Sequence, residues 1–263
     1  MVQPTQRGVP GWVRAYLLLG AVQGLAIAVT GLARPAHVVG FPLSTTPLNT
    51  RFVACFYLAG AAGLLASAAA RRAIDTRIYL AGFTAVTGLL LVATIWYWST
   101  YTDGGIPYPW VGSYVIEPVV GVVAIRALDL TRAARPGRHR LSPVYAAQAA
   151  GFAAIGVILA VAPATAVRLW PWVLTPVLAR TYAAIFLAFA LGAALAAGEQ
   201  RPQAVRPFAL SSLVLVASTA VVSLVHHAKF DGGPSTAVWG AALAAGLAGL
   251  GAAVLVTFRP ERA

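Results

Sequence analysis

Thr46-Pro47-Leu48-Asn49-Thr50-Arg51-Phe52-Val53-Ala54 returns 129 residues later as Thr175-Pro176-Val177-Leu178-Ala179-Arg180-Thr181-Tyr182-Ala183. Without a gap, 46–64 and 175–193 share eight of 19 positions: Thr, Pro, Arg, Ala, Leu, Ala, Ala and Gly. Upstream, Phe41-Pro42 answers Trp170-Pro171. Downstream, Asp103-Gly104-Gly105 answers Asp231-Gly232-Gly233 at an offset of 128. A fixed long period of this kind marks a structural repeat.

What is repeated is a membrane unit. The 263 residues are 59% hydrophobic and 10% charged, with a mean hydropathy of +0.78. Soluble domains carry about 25% charged residues. A span needs about 20 apolar residues, and eight stretches qualify: 13–33, 52–70, 78–98, 112–128, 144–163, 180–198, 207–227 and 237–257. None alternates like a barrel strand. Helices satisfy their own backbone hydrogen bonds, as lipid demands. The predicted fold is therefore an all-α integral membrane protein of eight transmembrane helices in two parallel four-helix repeats, 1–128 and 144–263. A basic linker, 129–143, joins them, broken by Pro136-Gly137.

The charge of +12 is carried by Arg, with Lys229 the only Lys. These residues lie between apolar stretches rather than on a polar face, which argues against nucleic acid. Fourteen fall on one side of the predicted membrane and five (Arg34, Arg51, Arg168, Arg180, Lys229) on the other. That bias places both termini in the cytoplasm of a bacterial cell, in the plasma (inner) membrane. Arg14 and the apolar stretch after it read as a retained helix rather than a signal peptide, since the counterpart helix lies mid-chain. The linker arginines then face anionic lipid headgroups, with His139 a solvated member of the group. Arg dominance with abundant Ala and Gly also fits a GC-rich bacterial genome.

In the repeated motif, Thr is a helix N-cap and Pro a first-turn residue. Arg51 and Arg180 then fall just inside a helix start, where a cation opposes the helix dipole by roughly 0.3–1 kcal/mol. Either they snorkel or bond a loop carbonyl, or they pair with a carboxylate or an anionic ligand, for which the guanidinium fork is suited. Asp103 or Glu117 is the candidate partner for Arg51, and Asp231 for Arg180. The two aspartates also suit local turn hydrogen bonding. Glu117, beside Pro118 near the start of the fourth span, is either a functional intramembrane carboxylate or a first-turn acid.

The remaining features point to structure. Trp96, Tyr97, Trp98, Tyr101, Tyr108, Trp110, Trp170 and Trp172 read as an interfacial aromatic belt. Ala62, Ala66 and Ala70, and Ala241, Ala245 and Gly249, have helix-packing spacing. Cys55 is the only cysteine, so an intrachain disulfide is impossible. His226 and His227 are adjacent on a helix and point apart, which is poor for shared metal binding. The chain has no phosphate-binding glycine loop, no zinc helix, no nucleophile elbow and no proton-relay chain. Nothing calls for a cofactor or a catalytic residue.

Each half resembles the DoxX-like group of small four-helix bacterial membrane proteins. The resemblance rests on a Pro-containing outer loop (Pro35, Pro42; Pro163, Pro171), an Arg opening the next helix (Arg51; Arg180) and a small-residue stretch (Gly60, Gly63; Gly192). It implies an integral membrane protein, in some cases linked to redox partners, and transfers no catalytic residue. Three functions follow as expectations. The first is a non-catalytic subunit of a membrane complex. The second is a carrier or binding protein for a small anionic or lipidic molecule. The third is a quinone- or haem-linked redox protein.

Overall fold

The computed structural model describes residues 8–38, 42, 43, 45–130 and 137–258. Arg7, Phe41, Arg132 and Arg135 of the linker, Arg259 and Arg262 lie outside the described residues. Ten α-helices run in order: α1 Gly11–Ala33, α2 Pro47–Ala68, α3 Arg77–Trp96, α4 Trp98–Tyr101, α5 Tyr108–Ala127, α6 Ser142–Val161, α7 Pro163–Leu169, α8 Pro176–Ala197, α9 Pro202–Val225 and α10 Pro234–Thr257. Eight of them (all but α4 and α7) are long and apolar enough to cross a membrane. No strand is formed among the described residues.

Six of the long helices, α2, α5, α6, α8, α9 and α10, have proline in the first turn and begin earlier than their apolar stretches. Thr46 caps α2, its hydroxyl accepting from the Asn49 N–H at 3.3 Å, with Pro47 as the first helical residue. Thr175 caps α8 in the same way through Leu178 N–H, also at 3.3 Å. Pro at this position loses no needed donor and supplies the helical φ.

The helix pairing is interleaved. α1 lies along α2, and α6 along α8. α2 packs more extensively on α9 than on α3, and α8 more on α3 than on α9. α5 covers α3, and α10 covers α9. α2 and α8 are consequently the most buried of the eight long helices. Close approach is allowed where a side chain is missing. A Cβ on Gly63 would fall 2.0 Å from the Tyr79 ring, and one on Gly192, 129 residues on, 2.4 Å from the Phe208 ring. Of the two small-residue stripes, Ala62, Ala66 and Ala70 are half-buried, but Ala241 and Ala245 are exposed on α10, contrary to the packing role expected for them.

Polar contacts tie the bundle at its two ends. At one, Gly8 bridges Arg72, the Gly137 N–H donates to the Gly198 carbonyl at 3.1 Å, and Arg206 Nε donates to the Thr257 carbonyl at 2.7 Å. There the buried Glu199 accepts from Arg77 Nη2 at 3.1 Å and from Arg201 Nε and Nη2 at 2.9 and 3.0 Å. His139 is not the solvated residue expected. Its Nδ1 accepts from the Leu141 N–H, so its Nε2 carries the proton that reaches the Ala196 carbonyl at 3.0 Å. At the other end, the buried Asn49 donates to the Val173 carbonyl at 2.9 Å and accepts from Trp172 Nε1 at 2.7 Å.

Candidate functional site

Arg51 and Arg180 do not meet the carboxylates expected for them. Arg51 Nε donates to the Leu32 carbonyl at 3.0 Å, and Arg180 Nε to the Ala160 carbonyl at 3.2 Å. Both carbonyls lie in the last turn of the preceding helix, where backbone acceptors lack partners and the dipole is negative. Each Arg therefore opposes its own helix start while neutralising the end of its neighbour. The remaining donors cross between the halves. Arg51 Nη1 lies 2.8 Å from His226 Nε2, and Arg180 Nη1 bonds the Tyr97 hydroxyl and faces the Trp96 and Tyr97 rings at 5.6 and 5.5 Å. Tyr97 and His226 are themselves 129 residues apart. Since guanidinium is always protonated, His226 Nε2 must be the acceptor and the ring neutral. Burial first, then Arg51 and Lys229, holds its pKa below the usual histidine value.

The aspartates divide. Asp231 accepts from the Gly233 N–H at 2.9 Å, Ser235 Oγ at 2.7 Å and Thr236 Oγ1 at 2.5 Å, which closes the turn before α10. Those bonds, led by the Ser235 hydroxyl, lower its pKa. Asp103 is exposed, with no side-chain hydrogen bond among the described residues. The two Asp-Gly-Gly turns also differ in shape. The positive φ falls on Gly105, the third residue, in one and on Gly232, the second, in the other.

Glu117 is the residue whose placement changes most. α5 starts at Tyr108, so Glu117 lies halfway along a 20-residue helix rather than in its first turn, and Pro118 is inside the helix. It lines a partly open cavity of about 100 Å³ among α1, α2, α3, α5 and α8, with Phe208 of α9. Gln23, Tyr57, Thr87, Tyr114 and Thr181 share that lining. The Tyr57 and Tyr114 hydroxyls are 2.7 Å apart. Two bonds draw α1 and α5 together at its edge: Tyr16 Oη to the Glu117 carbonyl at 2.8 Å, and Gln23 Nε2 to Ser113 Oγ at 2.7 Å. The Glu117 carboxylate makes no ion pair or hydrogen bond among the described residues.

A second cavity of about 510 Å³ lies among α2, α6, α7, α8, α9 and α10. Residues 129 apart line both cavities: Gln23 and Phe152, Tyr57 and Phe186, Thr87 and Val216, Trp110 and Trp239, Tyr114 and Leu243, Thr181 and Phe52. Most of the polar members of the first set are replaced by apolar ones in the second. The counterparts of Gln23 and Ser113 are Phe152 and Ala242, so the side-chain bond between α1 and α5 has no equivalent between α6 and α10, and Glu117 is replaced by Gly246. The counterpart of Tyr16 is Tyr145, whose buried hydroxyl has no partner among the described residues. Ile158 and Val238 line this cavity and stay exposed.

The aromatic belt is only partly realised. Trp96 and Tyr108 are exposed (71% and 74%), but Tyr101, Trp110 and Trp172 are buried. Trp170 and Trp172 pack on Phe52 and Trp239 beside the second cavity. Cys55 is free and buried, and no cluster of three or more metal-ligating side chains occurs among the described residues. No protein-family model, curated protein or solved structure matches the chain.

Proposed function

We propose that this chain is an integral protein of the bacterial plasma membrane that binds small lipidic molecules between its helices. Its eight spans form two parallel four-helix repeats with both termini cytoplasmic, and it performs no chemistry of its own. The repeat is supported by the offset of 129, which relates the Arg motifs, their partners Tyr97 and His226, and the glycine contacts at Tyr79 and Phe208. Orientation rests on the arginine bias. The Arg pair is an internal tie in this reading, which removes the argument for an anionic ligand at that place.

The observation that carries the function is the pair of corresponding cavities. The second cavity, about 510 Å³ and lined almost wholly by apolar side chains, has room for an apolar occupant, and the exposed edge at Ile158 and Val238 offers a route from the bilayer. The test is native mass spectrometry of the purified chain, with organic extraction of what it retains. Retention of a lipidic molecule, and its loss in Ala242→Phe, which fills the second cavity from α10, is the expected result. A chain that retains nothing, or a variant that retains as much, refutes the reading.

The subunit reading keeps one specific support. The face of α10 that carries Ala237, Ala241, Ala244, Ala245 and Ala248 is exposed, and small residues let a second helix approach closely in lipid. Bulky substitution at Ala241 and Ala245 would disrupt co-purification of such a partner and leave lipid retention intact.

A further inference from the structure

A carboxylate halfway along a membrane-crossing helix is costly unless paired or neutralised. The Glu117 carboxylate has no partner among the described residues, yet it lines a cavity whose other polar groups are hydroxyls, one amide and an indole N–H. The lining supplies no cationic side chain to meet the carboxylate, but it does supply aromatic rings from Phe56, Phe83 and Trp110. A carboxylate and π-faces together favour a cation. The residue 129 positions on is Gly246, and no charged side chain lines the second cavity, so the charge distinguishes one cavity from the other.

We propose that the cavity between α1, α2, α3, α5 and α8 takes the protonated amine head of a small lipophilic molecule. Glu117 is the counter-ion, and the Tyr57–Tyr114 hydroxyl pair lies alongside. This rests on the membrane-binding reading and names the ligand class for its first cavity. At about 100 Å³ the space suits a head of a few heavy atoms, with any longer tail passing out of the cavity. A neutral alcohol of the same shape leaves the carboxylate without a counter-ion, so selectivity for charge is the signature.

The test uses the full chain in nanodiscs of zwitterionic lipid at neutral pH, with empty nanodiscs as the blank. Saturation-transfer NMR compares isobutylamine with isobutanol. The expected result is transfer to the amine at least tenfold above the alcohol, falling to the level of the alcohol in Glu117→Gln and unchanged in Asp103→Asn, which alters an exposed acid. Gly60→Leu, which fills the cavity and keeps the carboxylate, should also lose the amine, so the proposal stays testable if Glu117→Gln fails to fold. Equal transfer to amine and alcohol, or full amine transfer in a folded Glu117→Gln or Gly60→Leu variant, overturns it. Loss of lipid retention at Ala242 is read separately, so failure of the second cavity does not mimic failure of the first.

Discussion

At the scale of the residue, the two arginines show why a repeated charge in an unfavourable place is informative but incomplete. The sequence exposes the conflict, a cation inside a helix start, twice over. It cannot show that the relief comes from the preceding helix end and from the other half of the chain, because neither Leu32 nor Tyr97 looks polar enough to matter. Arg51→Ala leaves the Leu32 carbonyl and His226 without their donor. A part-buried orphan acceptor costs about 1–3 kcal/mol, so the variant should melt measurably lower in detergent, and Arg51→Lys should recover only part, having lost the fork. His226 adds a pH dependence. Its depressed pKa means protonation is harder in the folded protein, so this contribution is full above the ordinary histidine value near 6.5 and is lost as pH falls below it. Thermal melts from pH 8 down to 5 should show a stability loss through that range that is smaller in Arg51→Ala. An unchanged slope would show that His226 does not sense the guanidinium. Glu117 is legible as a candidate from its charge alone, but its depth is not, because the first turn of α5, Tyr108-Pro109-Trp110-Val111, is aromatic and proline-bearing and does not stand out as part of an aliphatic stretch.

At the scale of the element, proline and threonine made the helix starts readable and small residues made the close packing only partly so. Thr46-Pro47 and Thr175-Pro176 begin helices where the sequence predicts, since capping is a local property. Ala241 and Ala245 have the same spacing as buried stripes and yet face outward, because spacing does not say whether a neighbour is there. Gly63 and Gly192 are the positions where a neighbour is there. Gly63→Ala and Gly192→Ala force a methyl against Tyr79 and Phe208 and should each destabilise by about 1–3 kcal/mol. Gly112→Ala, in α5 with nothing within 4 Å of the new methyl, should be neutral or stabilise by up to about 1 kcal/mol. Denaturation of the three variants side by side checks the packing directly. Glu199 belongs at this scale as well. It escaped the sequence reading because it sits outside every apolar stretch, in Gly198-Glu199-Gln200-Arg201, yet it joins the start of α3 to the loop before α9. Burial pulls its pKa upward, and Arg201 and Arg77 outweigh that, leaving it below the usual carboxylate value. Its contribution is therefore present above about pH 4.3 and disappears as pH falls through the lower folded value. Glu199→Ala removes the buried carboxylate that Arg77 and Arg201 share and should cost about 3–5 kcal/mol.

At the scale of the molecule, the pairing of α2 with α9 and of α8 with α3 makes the two halves interdependent. Each half contributes one central helix that packs on its own neighbour, α1 or α6, and also on a helix of the other half, so neither half alone has the full set of neighbours for its most buried helix. Arg51 to His226 and Arg180 to Tyr97 lock the same exchange at one end, and Arg77 to Glu199 locks it at the other. A tandem of self-sufficient four-helix units would behave differently, with α2 on α3 and α8 on α9 as the main contacts. Co-expressing 1–130 and 137–263 as separate chains distinguishes the two. The interleaved arrangement predicts that each chain alone aggregates or is degraded, and that together they co-purify as a stable pair with the far-ultraviolet spectrum of the intact protein. The pair should melt below the intact chain, because joining the halves raises their effective concentration without adding a contact. In the intact protein, cysteines placed at Gly137 and Arg201 should label from the cytoplasmic side and one at Gly104 from the opposite side, with Cys55 silent because it is buried. Independent stability of either half would show that the cross-half contacts are incidental. Labelling of 104 and 137 from the same side would remove the parallel arrangement on which the correspondence of the two cavities depends.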